Sequence, residues 1–319
     1  MIAEVRAIRE SVALTALPNL AIARVSGDSA FAITDRVVAG DLPLRDCQLR
    51  HSLLLSDDGH PIADVYVGND DGDFLLVADG ISPRGLLDLL GPDATDLSQT
   101  HTTLWLNGPS AWQIMAAIEG PEVVAFPQLS FYRPVPDCVY MRAGVTGELG
   151  YALIVPTATA PALCDRLLEA GRGLEIVLAG PDALGHSAFE NCAFNPHRRT
   201  SLTPIELQLQ CRVSYRKDYR GSDALRRRRT EATHRTVAML ADGVRPSDVI
   251  TYRDRAIGTI LWAERSITLD RGIAVGLVER QYAHAGVDWY RVCDKPVRTV
   301  SAPFVLGSNA FVAQGRQIG

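Results

Sequence analysis

Apolar residues recur along this chain with two periods, and the changes of period mark its elements. At 51–55, 63–67 and 74–77, short apolar runs are separated by Asp57-Asp58-Gly59 and Asp70-Asp71-Gly72, which predicts strands joined by turns. From Ser82-Pro83 to Gly91-Pro92 the pattern is helical. Serine can accept from first-turn amides, proline at the first position lacks no useful donor, and glycine ends the helix. Residues 139–143 and 151–155 read as a hairpin around Gly147-Glu148-Leu149-Gly150, followed by a helix over 160–170 that Gly171 stops. After Arg235 the texture changes. Six strand-like runs, at 236–240, 249–252, 256–262, 273–278, 289–292 and 297–300, follow with almost no helix signal. They predict a separate, mostly antiparallel barrel or sandwich.

An internal echo adds to this. Val25-Ser26-Gly27-Asp28-Ser29-Ala30-Phe31-Ala32-Ile33 reads against Leu106-Asn107-Gly108-Pro109-Ser110-Ala111-Trp112-Gln113-Ile114. Each copy is a strand end, a glycine turn, a serine placed to cap, and an apolar-faced helix. Two copies predict two related lobes, and strands that do not alternate strictly with helices predict α+β rather than a doubly wound sheet.

Composition narrows the class. With 319 residues, 47% of them hydrophobic and 22% charged, the chain can bury a large core over two or three domains. A net charge of -5 argues against gripping phosphate backbones, so no nucleic-acid partner is expected. The one basic run, Arg226-Arg227-Arg228-Arg229, ends a predicted helix and reads as a solvated face. Cys47, Cys138, Cys164, Cys192, Cys211 and Cys293 are scattered without a CxxC, which suits neither a disulfide framework nor a zinc site; no metal is expected. Free thiols point to a reducing compartment. Glu4, Arg6, Arg9 and Glu10 interrupt the N-terminal apolar residues, and no run reaches membrane-spanning length. A cytoplasmic protein without membrane contact is the expectation.

Four segments, in order, resemble the glycine-cleavage T-protein (aminomethyltransferase) superfamily. RAGVTGELGYALIVP (142–156) is similar to its Arg-x-Gly-x-Thr-Gly-Glu-x-Gly-Tyr hairpin. LTPIELQLQCRVSYRKDYRGSDAL (202–225) resembles its Thr-Pro-x-Glu segment with the lysine and Ala-Leu run that follow. Residues 257–274 resemble an element of its barrel, and Ala302-Pro303-Phe304 sits where its last strand ends. The resemblance implies a cloverleaf: two interleaved α+β lobes and a C-terminal antiparallel β-barrel around a folate channel. The expected division is 1–50 with 139–232 as one lobe, 51–138 as the second, and 233–319 as the barrel.

The resemblance also implies a site. Glu190 falls where the family's pterin-binding glutamate stands; a carboxylate accepts the two neighbouring N–H donors of an aminopyrimidinone. Lys217, with Arg216 beside it, aligns with the cation for folate's carboxylate tail. Asp79 takes the place of a channel asparagine, His51 and Asp64 lie on facing strands within reach of the channel, and Trp262 falls in the barrel element over the folate. His51 and Asp79 are the candidate acids, and Glu190, Lys217, Arg216, Asp64 and Trp262 the candidate folate contacts. One departure matters. The family's catalytic aspartate aligns with Leu86, which cannot stabilise a developing cation. The expected activity is thus transfer of a methyl group from a small O-, S- or N-methyl compound to tetrahydrofolate. Aminomethyl transfer or folate binding without catalysis are the alternatives. No protein partner is identified. A serine hydrolase, suggested by Gly185-His186-Ser187, is disfavoured by the bulk of Phe189 and the absence of a leading strand.

Overall fold

Which face each strand buries, and against what, decides the architecture. The computed structural model describes residues 1–198 and 201–308. One sheet orders Val177–Leu178, Ala13–Leu17, His101–Asn107, Gly150–Pro156, Val139–Met141 and Phe131–Tyr132. A second orders Leu49–Leu55, Pro61–Asp70, Asp73–Asp79, Ala21–Val25 and Ala94–Asp96. His234–Leu240, Arg271–Glu279, Arg255–Ser266, Val249–Tyr252, Tyr290–Val292 and Lys295–Val300 close into an antiparallel barrel. Closure leaves that barrel no unpaired edge. The expected α+β class with a C-terminal β-barrel is what the chain forms.

Among the described residues, seven α-helices accompany the sheets: α1 Ile2–Glu10, α2 Ala30–Val37, α3 Pro83–Leu90, α4 Ala111–Glu119, α5 Ala160–Ala170, α6 Pro181–Glu190 and α7 Ser222–Glu231. The five-stranded sheet turns Ala63, Val65 and Val67 toward α2 and α3, and Tyr66, Leu75 and Val77 toward the six-stranded sheet. That sheet meets them with Trp105, Met141 and Ala152, and packs its other face, Leu104, Leu106 and Leu153, on α4 and α5. The result is four layers, helices outside and sheets within, built by period-two alternation. Each fully buried leucine or valine there contributes about 1.5–3 kcal/mol. No described helix is long and apolar enough to cross a membrane.

The two echo copies fall one in each sheet, each as strand, glycine turn and helix. Gly108 has φ +134, and a Cβ there would lie 2.5 Å from the Ser11 carbonyl oxygen, so only glycine fits. The expected serine caps differ. Ser82 accepts from the Gly85 amide at 3.1 Å, whereas Ser29 and Ser110 make no such bond; Ser29 Oγ donates to Asp93 at 3.2 Å instead.

The lobes interleave elsewhere than expected. Ala13–Leu17 and Ala21–Val25 both lie within 1–50 yet belong to different sheets, and His101–Asn107, within 51–138, pairs with Gly150–Pro156. The chain passes between sheets at Pro18-Asn19 and again between Leu97 and His101. Sheet membership here rests on partners far off in sequence, Leu14 with Leu106 and Ile22 with Val77, which a strand's own pattern does not encode.

Candidate functional site

The two sheets do not pack against each other along their whole length. Where they part, beside α6 and the barrel, lies a cavity of about 800 Å³, a size usual for small-molecule sites. Tyr66, Val77, Trp105, Met141, Ala152 and Leu184 give it apolar walls, and Asp64, Asp79 and Glu264 give it carboxylates. Residues 194–198 run along its rim.

Asp64 and Asp79 are direct partners on adjacent antiparallel strands, so their side chains stand together on one face. Two carboxylates this near would repel, but each has its own partner. Asp64 Oδ2 lies 2.9 Å from His51 Nε2, while Arg212 donates to its Oδ1 and, at 2.9 Å, to the Ser52 carbonyl. Asp79 Oδ1 lies 2.8 Å from His197 Nε2. His51 stacks on Tyr66, centroids 4.1 Å apart and planes within 8°. Burial, and secondarily the charge of Arg212, hold its pKa well below 6.5, so the ring is neutral near pH 7. His51 does not line the cavity. The residue expected as a catalytic acid, His51, thus sits behind Asp64 rather than on the cavity wall.

A second polar cluster joins α6 to the barrel. His186 Nδ1 is 2.8 Å from Glu264 Oε2, and its Nε2 is 3.3 Å from Glu190 Oε1. Bonds to Glu190 and Glu264 outweigh burial and raise His186 to about 9. Arg198 donates to Glu264 and lies 4.0 Å above the Phe189 ring. Sequence reading missed Glu264 and Arg198; a charged pair split between a loop and a strand far along the chain leaves no spacing to notice.

Glu190 does not reach the cavity. It is fully buried, and each oxygen is already engaged. Oε1 accepts from Ser266 Oγ at 2.6 Å and the Thr268 amide at 3.0 Å; Oε2 accepts from Thr268 Oγ1 at 2.7 Å and Arg9 Nη2 at 3.1 Å. A carboxylate so occupied has nothing left for a pterin, and it ties α1, α6 and the barrel together. Lys217 is likewise committed. Its Nζ donates to the carbonyls of Asp35 and Val38, each at 2.8 Å, and to Asp35 Oδ1 at 2.7 Å, which caps the end of α2. Arg216 is exposed and away from the cavity. Trp262 lines a smaller neighbouring cavity of about 160 Å³ with Phe189, Cys192 and Arg198.

Comparison with known proteins decides the family. A family model described as the GCVT N-terminal domain matches residues 1–217. The chain belongs to the GCVT family. The aminomethyltransferase of Frankia alni is 28% identical over 333 residues, covering 96% of this chain and 89% of its own. That of Geobacillus sp. (strain WCH70) is 25% identical over 299 residues, covering 88% and 82%. The crystal structure of the glycine cleavage system aminomethyltransferase T from Bartonella henselae superposes with a TM-score of 0.80 at 20% identity, covering 96% of this chain and 90% of that one, which shows the fold. As a GCVT member this protein is a tetrahydrofolate-dependent transferase.

Against that membership, the Leu86 substitution reads differently in three dimensions. Leu86 is 1% exposed and packs with Val65, Leu76 and Leu90 under the five-stranded sheet, not on the cavity. The apolar residue satisfies the core, and the carboxylates at the cavity are Asp64 and Asp79 on the strands, Asp182 on α6 and Glu264 on the barrel. Gly185-His186-Ser187 lies inside α6 with no strand–turn–helix elbow, which removes the hydrolase alternative. Of the four arginines in α7, Arg226 pairs with Asp218 and Asp223, Arg228 with Glu206, and Arg229 stacks on Tyr215. Arg228 is thus tied to the fold through buried Glu206, while Arg227 and Arg229 remain exposed.

Proposed function

We propose that this protein is an aminomethyltransferase-type enzyme that moves a one-carbon unit from an amine-bearing donor to tetrahydrofolate in the cavity between its sheets. The observation that carries this reading is the pair Asp64–Asp79 on the wall of a large, otherwise apolar cavity in a GCVT chain. Bound tetrahydrofolate supplies the nucleophilic nitrogen that accepts the one-carbon unit.

The residues present fit that group. Thr103 is buried on the cavity wall with its hydroxyl unpartnered among the described residues, as a site for a polar ligand would have it. Tyr66, Val77, Trp105 and Leu184 offer apolar surface for a flat ring and exclude water. Carboxylates beside them can accept ring N–H groups or face a cationic amine. Arg198, in place of Lys217, is the cation at the rim for an anionic tail. Methyl transfer from an O-, S- or N-methyl compound, the reading built on Leu86, loses its ground because Leu86 is not at the cavity. The relatives from Frankia alni and Geobacillus sp., aminomethyltransferases by name, favour the amine-bearing donor.

Thermal unfolding with 5-formyltetrahydrofolate at about a hundredfold over its Kd tests the cofactor. The expected rise in Tm is roughly 5–10 °C. A reconstituted assay with aminomethylated lipoyl carrier protein tests the transfer, expected at about 1 per second or faster. No Tm shift overturns the folate site, and binding without turnover overturns the aminomethyl donor.

A further inference from the structure

The rim segment Phe194–Arg198 carries side chains that reach both the five-stranded sheet and the barrel. It leaves α6 through Cys192, a non-glycine residue at φ 54, after Asn191 Nδ2 fastens to the Val145 carbonyl at 2.8 Å. Beyond it the chain is held again, where the Thr203 amide donates to Glu206 Oε2 at 2.8 Å. Between these anchors its backbone bonds among described residues turn inward. The Arg198 amide donates to the Asn195 carbonyl at 3.1 Å, and the His197 amide to Asn195 Oδ1 at 2.8 Å. A self-contained turn can move without breaking a sheet ladder.

Phe194 anchors one end of the turn against the cluster of Leu53, Leu55 and Ile205, and Arg198 stacks on Phe189; polar and backbone contacts hold the rest. Pro196 sits on Gly80, whose φ is +94; a Cβ there would lie 2.4 Å from Pro196 Cβ. His197 holds Asp79 on the five-stranded sheet, and the next residue, Arg198, holds Glu264 on the barrel. One turn thus spans the gap between lobe and barrel on adjacent side chains. The His197 pair is largely exposed, 67% and 43%, and exposed ion pairs hold weakly.

We propose that residues 194–198 are a strap that opens to admit ligand to the cavity and closes over it, latched by His197–Asp79 and Arg198–Glu264. Asp79 then has two states: bonded to His197 when the strap is down, and free beside Asp64 when it lifts. The proposal rests on the cavity being the ligand site, and its test does not need the ligand. Cys192 is half-buried and lines the small cavity that Phe194, Asn195 and Arg198 of the strap also line, and burial pushes its thiol up to about 11, which keeps it slow to react. Opening exposes it.

The rate of maleimide labelling at Cys192, resolved by peptide mass spectrometry, reads the opening. The variants His197→Gln and Arg198→Gln should each raise that rate about two- to fivefold, with the double variant near the product. Gly80→Ala should raise it too, by wedging Pro196 away with no change of charge. Buried Cys138, in the core between the six-stranded sheet and its outer helices, should not change. An unchanged Cys192 rate in the folded double variant, or an equal rise at Cys138, overturns the strap. With 5-formyltetrahydrofolate present at saturation, wild-type labelling should slow. If calorimetry shows binding and labelling does not slow, the strap does not close over ligand. If no binding is found, the folate reading fails while the latch variants still decide the strap.

Discussion

Glu190→Ala is expected to lower stability by about 3–5 kcal/mol, the usual cost of breaking a buried ion pair from one side. The substitution leaves Arg9 and His186 buried without their shared acceptor and strips Ser266 and Thr268 of theirs. The pH dependence follows from the same group of residues. Burial raises the pKa of Glu190, but bonds from His186, Ser266 and Thr268 win and bring it from 4.5 to about 2. A depressed carboxylate stabilises above its unfolded value, and that contribution fades as pH falls from 4.5 toward 2. His186 is raised from 6.5 to about 9, so its contribution is complete below 6.5 and is lost as pH rises through 9. Urea midpoints should therefore be highest between about pH 4.5 and 6.5 and decline toward pH 9. His186→Gln should remove the alkaline decline. A wild-type midpoint that holds level from pH 6.5 to 9 would show that the pair does not set the pH response.

Asp64→Asn is expected to reduce transfer kcat about 10²–10³-fold, the loss typical when a charge aimed at the reacting centre is removed. Folate affinity should change far less, since the apolar walls remain. Asp64 also faces Arg212, so the variant should melt lower as well. The two effects separate on inspection. A structural role alone would scale activity with the folded fraction, whereas a role in the chemistry lowers kcat at temperatures where the variant is fully folded. A folded Asp64→Asn enzyme within fivefold of wild type would remove Asp64 from the reaction. His51→Gln, which keeps a donor near Asp64, should fall between the two.

The elements of this fold were largely legible in the sequence. The six barrel strands, the Ser82-capped helix and the hairpin around Gly147–Gly150 stand where period, turn residues and caps put them. These signals are local, written within about ten residues. Sheet membership was not legible, because Ala13–Leu17 and Ala21–Val25 look alike and differ only in distant partners. The site divides in the same way. Asp64 and Asp79 belong to strands whose alternation is plain, and both reach the cavity. Glu190 and Lys217 were placed by alignment, which gives position along the chain but not the direction of a side chain. A buried arginine, Arg9, took the first, and the end of α2 took the second. Leu86 shows the same limit: a substitution in a motif reads as lost chemistry until its burial is known.

The crossing of the chain at Pro18-Asn19 has a consequence for the order in which the protein is made. As the chain emerges during synthesis, Ala21–Val25 finds Asp73–Asp79 after some fifty residues, and the five-stranded sheet can settle early. Ala13–Leu17 must wait for His101–Asn107 and then Val177–Leu178. Arg9 waits longer, since its acceptor Glu190 is completed only by Ser266 and Thr268 of the barrel. Arg9 and Ala13–Leu17 are thus among the last segments fastened, and until then the wall of the cavity that Leu17 and Leu20 provide stands open to anything that binds an unpaired strand.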